Sequence, residues 1–161
     1  MKIALAMALA GVAFGASGSQ NTDVVRAKRF EVVDAAGTVR AAMGAADDGS
    51  DAAALRVYDA AGKRRAGMGI QADGTAGIEV LDVSGKPRAA LGVMPDGTSG
   101  LELLDGTGKR RAAVVVQPDG LPRLWLYDSA GKVRASVGVI ADGSPSLTLK
   151  DATGKPVTSL P

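Results

Sequence analysis

The side chains able to do chemistry in this chain are carboxylates and guanidinium groups. The sequence holds 17 Asp and Glu against 19 Lys and Arg, with no histidine and no cysteine. Thiol nucleophiles, imidazole bases, disulfides and the commonest zinc ligands are therefore excluded together. What remains could support a glycosidase-like carboxylate pair or a phosphate cradle. The carboxylates, however, recur at fixed intervals. One series is Asp34, Asp59, Asp82, Asp105, Asp128 and Asp151; another stands before glycine at Asp48, Asp73, Asp96, Asp119 and Asp142. A residue written that often serves a turn, and no single unit departs from the series as a catalytic site should. "GTGKRR", Gly106 to Arg111, lacks the spaced first glycine and the hydroxyl after lysine that a P-loop requires. "DDGSD", Asp47 to Asp51, is dense in oxygen ligands that suit calcium. It does not match the glycine–aspartate repeats of calcium-binding solenoids and reads as an acidic loop. The expectation is a protein that is not an enzyme, with no catalytic residue, metal or cofactor.

Two features could bind rather than catalyse. "LWLYD", Leu124 to Asp128, is the one aromatic spot in a chain with 3% aromatics. Near it stands a column of arginines, Arg40, Arg65, Arg88, Arg111 and Arg134, followed in each unit by small residues. Trp125 and Tyr127 beside Arg134, with Arg111, Arg88 and Arg65 extending the column, form a candidate surface for a glycan, an anionic polymer or a protein ligand. The plainer reading is a charge-balanced, solvated sheet face, since exposed ion pairs contribute little. A net charge of +2 does not suggest a nucleic-acid partner.

The elements that must position these residues are set by a repeat. The first aspartate series is spaced by 25 and then four times by 23 residues. About six units share the pattern L-x-L-x-D-x-x-G-K-x-R-A-x-L-G-V-x-x-D-G-[ST]. Each has two glycine turns, and the segments between them alternate in polarity with strand period. The spacing predicts an all-β chain of antiparallel hairpins forming a meander. A three-residue loop ending on Gly74 should set Met68 opposite Ile78 and Ala66 opposite Val80. At the other turn, a three-residue Ala60-Ala61-Gly62 loop would set Val57 against Arg65 and mix the faces, whereas a two- or four-residue loop keeps Val57 against Ala66. The hydrophobic pattern favours the latter. Pro87, Pro122, Pro145 and Pro156 are expected at strand ends. A β-solenoid is the alternative, but it would stack five arginines ~4.8 Å apart.

The meander's apolar face needs cover. The sheet could curl into a barrel, fold as a sandwich, or pack against copies of itself, and the even period together with small side chains favours a homo-oligomer. Ahead of the repeat domain (30–161) lie a lead-in segment (19–29) and an N-terminal stretch (1–18). In the latter, Lys2 is followed by an apolar run from Ile3 to Phe14 and then small residues. That outline is a signal peptide with a short hydrophobic helix, or an uncleaved anchor, though shorter than the ~20 residues of a membrane span. The chain is then secreted, periplasmic or on the cell surface, touching membrane only through this stretch if it is retained.

The repeat words, together with "VVRAKRFEVVDAAGTVRA" from Val24 to Ala41, resemble units of uncharacterised exported bacterial β-repeat proteins. That resemblance implies an exported repeat architecture and no transferable activity. The hairpin arrangement is similar in style to single-layer meanders of spirochaete outer-surface lipoproteins and to phage fibre shafts, although the lipidation cysteine of the former is missing. The functional expectation is a structural or adhesive protein of the cell envelope that associates with itself, or alternatively a soluble module that binds a glycan or anionic polymer.

Overall fold

The structure is a computed structural model that describes residues 26–45 and 53–160. Twelve strands run β1 Arg29–Val33, β2 Val39–Ala45, β3 Ala53–Tyr58, β4 Arg64–Ile70, β5 Ala76–Leu81, β6 Pro87–Val93, β7 Ser99–Leu104, β8 Arg110–Val116, β9 Pro122–Tyr127, β10 Val133–Val139, β11 Pro145–Lys150 and β12 Pro156–Leu160. They form one antiparallel sheet in sequence order. Among the described residues there is no helix, and each strand contacts only the strands before and after it. The chain is thus an open single-layer meander. The solenoid alternative is set aside because sequence neighbours pair antiparallel and equivalent residues lie two strands apart. The N-terminal helix or signal stretch and the Asp47–Asp51 loop lie outside the described residues.

The turns among the described residues share one construction. Around Gly74, the Gln71 N–H donates to Thr75 O (2.8 Å) and the Gly74 N–H to Gln71 O (2.9 Å). Around Gly62, the Asp59 N–H donates to Lys63 O (2.9 Å) and the Gly62 N–H to Asp59 O (3.0 Å). Each is a three-residue loop closed by a left-handed glycine, with φ of +89° at Gly74 and +74° at Gly62. The first gives the expected register, Met68 opposite Ile78 and Ala66 opposite Val80.

At the second turn the loop and the hydrophobic pattern prove compatible. Val57 faces Ala66, yet Tyr58 faces Arg64, so Arg65 is an extra residue in a β-bulge. The loop therefore has three residues rather than two or four, and the bulge absorbs the odd residue that would otherwise flip the faces. The same slip isolates Arg40, Arg88, Arg111 and Arg134, and Val157 in the last hairpin. Pro87, Pro122, Pro145 and Pro156 are each the first residue of a strand, where a missing N–H costs the ladder least.

At its glycine pairs the sheet creases toward the face that carries arginine and glycine. Gly69 pairs with Ala54. A Cβ added to Gly69 would lie 3.0 Å from the Ala54 Cβ and 2.7 Å from the Ala53 carbonyl oxygen. Opposed Cβ atoms in a regular ladder are about 4.5–5.5 Å apart. Gly77 and Gly92 pair with each other and are pinched alike: a Cβ added to either would lie 2.9 Å from a carbonyl oxygen of the other strand. Side-chain roots converge on this concave face, so burial occurs there. Ala42 and Ala113 are 2% exposed, and Leu81, Val115 and Arg56 are also buried. Long strands place small residues (Ala42, Gly67, Ala90, Ala113) beside larger ones from short strands (Arg56, Glu79, Glu102, Trp125), and the large cover the small.

The convex face carries the apolar columns, and nothing in the described chain covers them. Met43 is 54% exposed, Met68 52% and Leu91 51%. The crease makes a sharp distinction between neighbouring glycines. Gly69→Ala should lower stability by about 1–3 kcal/mol through backbone overlap, read as a fall in the urea midpoint. Gly67→Ala, whose Cβ would meet only ordinary contacts starting at 3.4 Å from Glu79 Oε1, should be neutral or better.

Candidate functional site

Each repeated aspartate organises its turn with one oxygen and presents the other. Asp82 Oδ1 accepts the Ser84 N–H (2.8 Å), the Lys86 N–H (3.1 Å) and the Ser84 hydroxyl (2.6 Å). Asp82 Oδ2 faces the Arg88 guanidinium at 3.6 Å. Arg88 Nε then donates to Leu104 O in the next hairpin, at 2.9 Å. Arg65 repeats the arrangement with Asp59 (3.6 Å) and Leu81 O (3.1 Å). Arg111 joins Asp105 to the Asp128 carbonyl. Arg134 Nε meets Asp128 Oδ2 at 2.7 Å, while its other nitrogens reach the Asp151 carbonyl and, at 2.9 Å, the Ala152 carbonyl. Lys86 and Lys109 add donations across the same gap, to Gly106 O and Ser129 O at 3.0 Å each.

The bulge explains this geometry. A β-bulge re-aims its extra side chain and strengthens the local twist, so each guanidinium lies along the sheet between two turns rather than above it. Arg65, Arg88, Arg111 and Arg134 are thereby engaged as staples from hairpin to hairpin. Their stems flank Leu81 and its equivalents, while the heads keep a share of solvent. In the last hairpin Val157 occupies the bulge, so the described staples end at the turn after β11.

Trp125 and Tyr127 also lie on the concave face. Trp125 is half-buried between Ala113 and Ser136. Tyr127 is approached by Arg110, 5.8 Å from the ring centroid, whereas Arg134 turns toward Asp128 and the following turn. The turn aspartates engage the arginine column, and Glu79 and Glu102 pair with the residues just before it: Arg64 at 2.7 Å from Glu79, and Arg110 with Glu102. Strict alternation would send Arg64 and Arg110 to the convex face. The bulge sets both of its residues on one side, which the sequence reading missed. A shallow groove of about 770 Å³ runs over the Gly67, Gly69, Gly77, Gly92 and Gly100 floor beside Arg64, Glu79 and Glu102.

The convex face is chemically blank. From Phe30 in β1 to Leu149 in β11, its described positions carry only apolar or small side chains, with no charge. It offers surface to bury and nothing to react.

The turn carboxylates are the titrating part of the structure. The Ser84 hydroxyl, the Lys86 and Ser84 amides and Arg88 hold Asp82 down to about 2. The Thr107 and Thr153 hydroxyls lead the lowering at Asp105 and Asp151. The Lys63 and Lys132 amides lead it at Asp59 and Asp128. These groups have lower values folded than unfolded, so their stabilisation is complete above the unfolded value near 3.9 and is lost as pH falls through the folded values. The urea midpoint should be level from neutrality to about pH 5 and fall between about pH 5 and 2. A midpoint that already declines between pH 7 and 5 would contradict the turn assignment. No family model and no curated protein matches the chain at a significant level.

Proposed function

We propose that this chain is an exported, non-catalytic structural protein of the cell envelope that works by packing its convex face against other copies of itself. The observation that carries this reading is the extent of the uncovered apolar face. Nineteen large side chains on it, from Phe30 to Leu149, are 37% exposed or more. At roughly 50 Å² of apolar surface for each half-exposed side chain, they offer on the order of 1,000 Å². The largest patch on an ordinary monomer is about 300–600 Å², and a stable interface takes about 800 Å² from each partner.

A second copy fits this face better than the other occupants. The apolar run at Ile3–Phe14 spans at most ~40 Å fully extended, one chain wide, against a sheet of eleven strand gaps, ~50 Å. A bilayer-spanning barrel needs strands of about 9–11 residues, and these have five to seven. A charged partner would find no counter-charge. A like face matches in length, in apolar character and in period, and two such sheets can stack about 10 Å apart as in a sandwich. The apolar run after Lys2 supports export, and the absence of histidine and cysteine supports a structural rather than a catalytic role.

Multi-angle light scattering at tens of micromolar tests the proposal. The chain should scatter as a multiple of its monomer mass. Met68→Lys combined with Leu91→Lys, which sets two ammonium groups on the face, should reduce it to a monomer with an unchanged far-ultraviolet dichroism spectrum. A parent chain that is monomeric throughout would overturn the reading.

A further inference from the structure

The convex face has a second property beyond its size: it repeats. Displacing the sheet by one hairpin, two strands or ~9.6 Å, superposes Leu55 on Ile78, Ile78 on Leu101 and Leu101 on Leu124, and likewise Ala66 on Ala89 and Ala89 on Ala112. These residues occupy equivalent registers in successive hairpins. No charge anywhere on the described face is misplaced by such a shift, and the hydroxyls it carries, Ser99 and Thr158, stand at the start of β7 and on the edge strand β12.

We infer that copies of this chain pair in several registers separated by whole hairpins, and that the staggered pairs grow into two-layer ribbons. This rests on the self-packing reading above. Specificity between pairings requires something that the wrong pairing violates: a charge, a polar group or a steric mismatch. Here a one-hairpin shift alters only the degree of overlap. A pair displaced by three hairpins covers half of each face and leaves the other half to a third copy. In the resulting ribbon each chain buries as much apolar surface as in the fully overlapped dimer. The two assemblies differ in association entropy, because a ribbon spends about one association step per chain and a dimer half of one. Dimers therefore dominate when dilute and ribbons when concentrated. An interface that does not close on itself is the general route to open assemblies.

Sedimentation velocity of the full chain over about a hundred-fold range of concentration, combined with spin-label distances, tests this. Ala130→Cys places the label in an exposed turn, and the parent chain has no cysteine to compete. The weight-average mass should rise past the dimer without a plateau. The distance distribution should show discrete peaks about 10 Å apart. A plateau at one mass with a single label distance would overturn register freedom and leave self-packing standing. A featureless distance distribution would mean disordered aggregation and overturn it as well. A monomer at every concentration would remove both readings together.

Discussion

Every stabilising contact in the described sheet runs between a strand and its immediate neighbour. In a two-layer domain a strand is held by its ladder and by a second layer across the core. Among the described residues there is no second layer, so sideways contacts must do more. The arginine bulge meets that need. It converts one residue per hairpin into a link between the carboxylate of its own turn and the carbonyls of the next, and the lysine two residues before it works across the same gap. Single exposed ion pairs contribute little. These differ in being tied to backbone carbonyls and repeated over four successive junctions, from Arg65 to Arg134. Stability then takes the form usual for repeat arrays, a sum of unit and junction terms.

The same constraint inverts the usual relation between polarity and burial. The most buried side chains lie on the charged face, because the sheet curls toward it. Curling brings side-chain roots closer than a flat sheet allows, which requires glycine on one side of each pinched pair, as in Gly69 with Ala54, Gly100 with Val115 and Gly138 with Arg123, and Arg56, Glu79, Glu102 and Trp125 lie over small neighbours. The bulges add twist in the same structure. Arginine at the bulge and glycine at the crease are thus two parts of one device: one joins adjacent hairpins, the other gives the curl that puts those joints in partial shelter.

Much of this was legible before any coordinates. Six units, their strand period, both glycine turns, the strand-end prolines and the division into two faces follow from spacing and alternation. The register at Gly74 follows because that loop and the apolar columns agree. At Gly62 they disagreed by one residue, and that disagreement was itself the signal of a bulge. The sequence reading resolved it by changing the loop length, whereas the chain keeps the loop and adds a bulge. The pairing of Arg64 with Glu79 and of Arg110 with Glu102 was hidden for the same reason, since strict alternation sends Arg64 and Arg110 to the wrong side. The crease was hidden too: nothing in the spacing says that Gly77 will stand opposite Gly92 in close contact. At the candidate site, Arg134 stands in the bulge opposite Tyr127, while the arginine over the Tyr127 ring is Arg110, which strict alternation hides.

The convex face raises a question that the lone chain does not answer energetically. A side chain stabilises a fold in proportion to the surface it removes from water, and Leu101 or Val114 removes only about half of its own on forming this sheet. Threonine at such positions would suit a strand nearly as well and would avoid an apolar patch prone to adhesion. The turns, staples and crease would be untouched by that exchange, because none of them involves a convex side chain. Leucine, valine, isoleucine and methionine in every described hairpin therefore add their full free energy only when something covers them. Within this architecture, the residues that hold the sheet together and the apolar residues left to be covered lie on opposite sides of one layer.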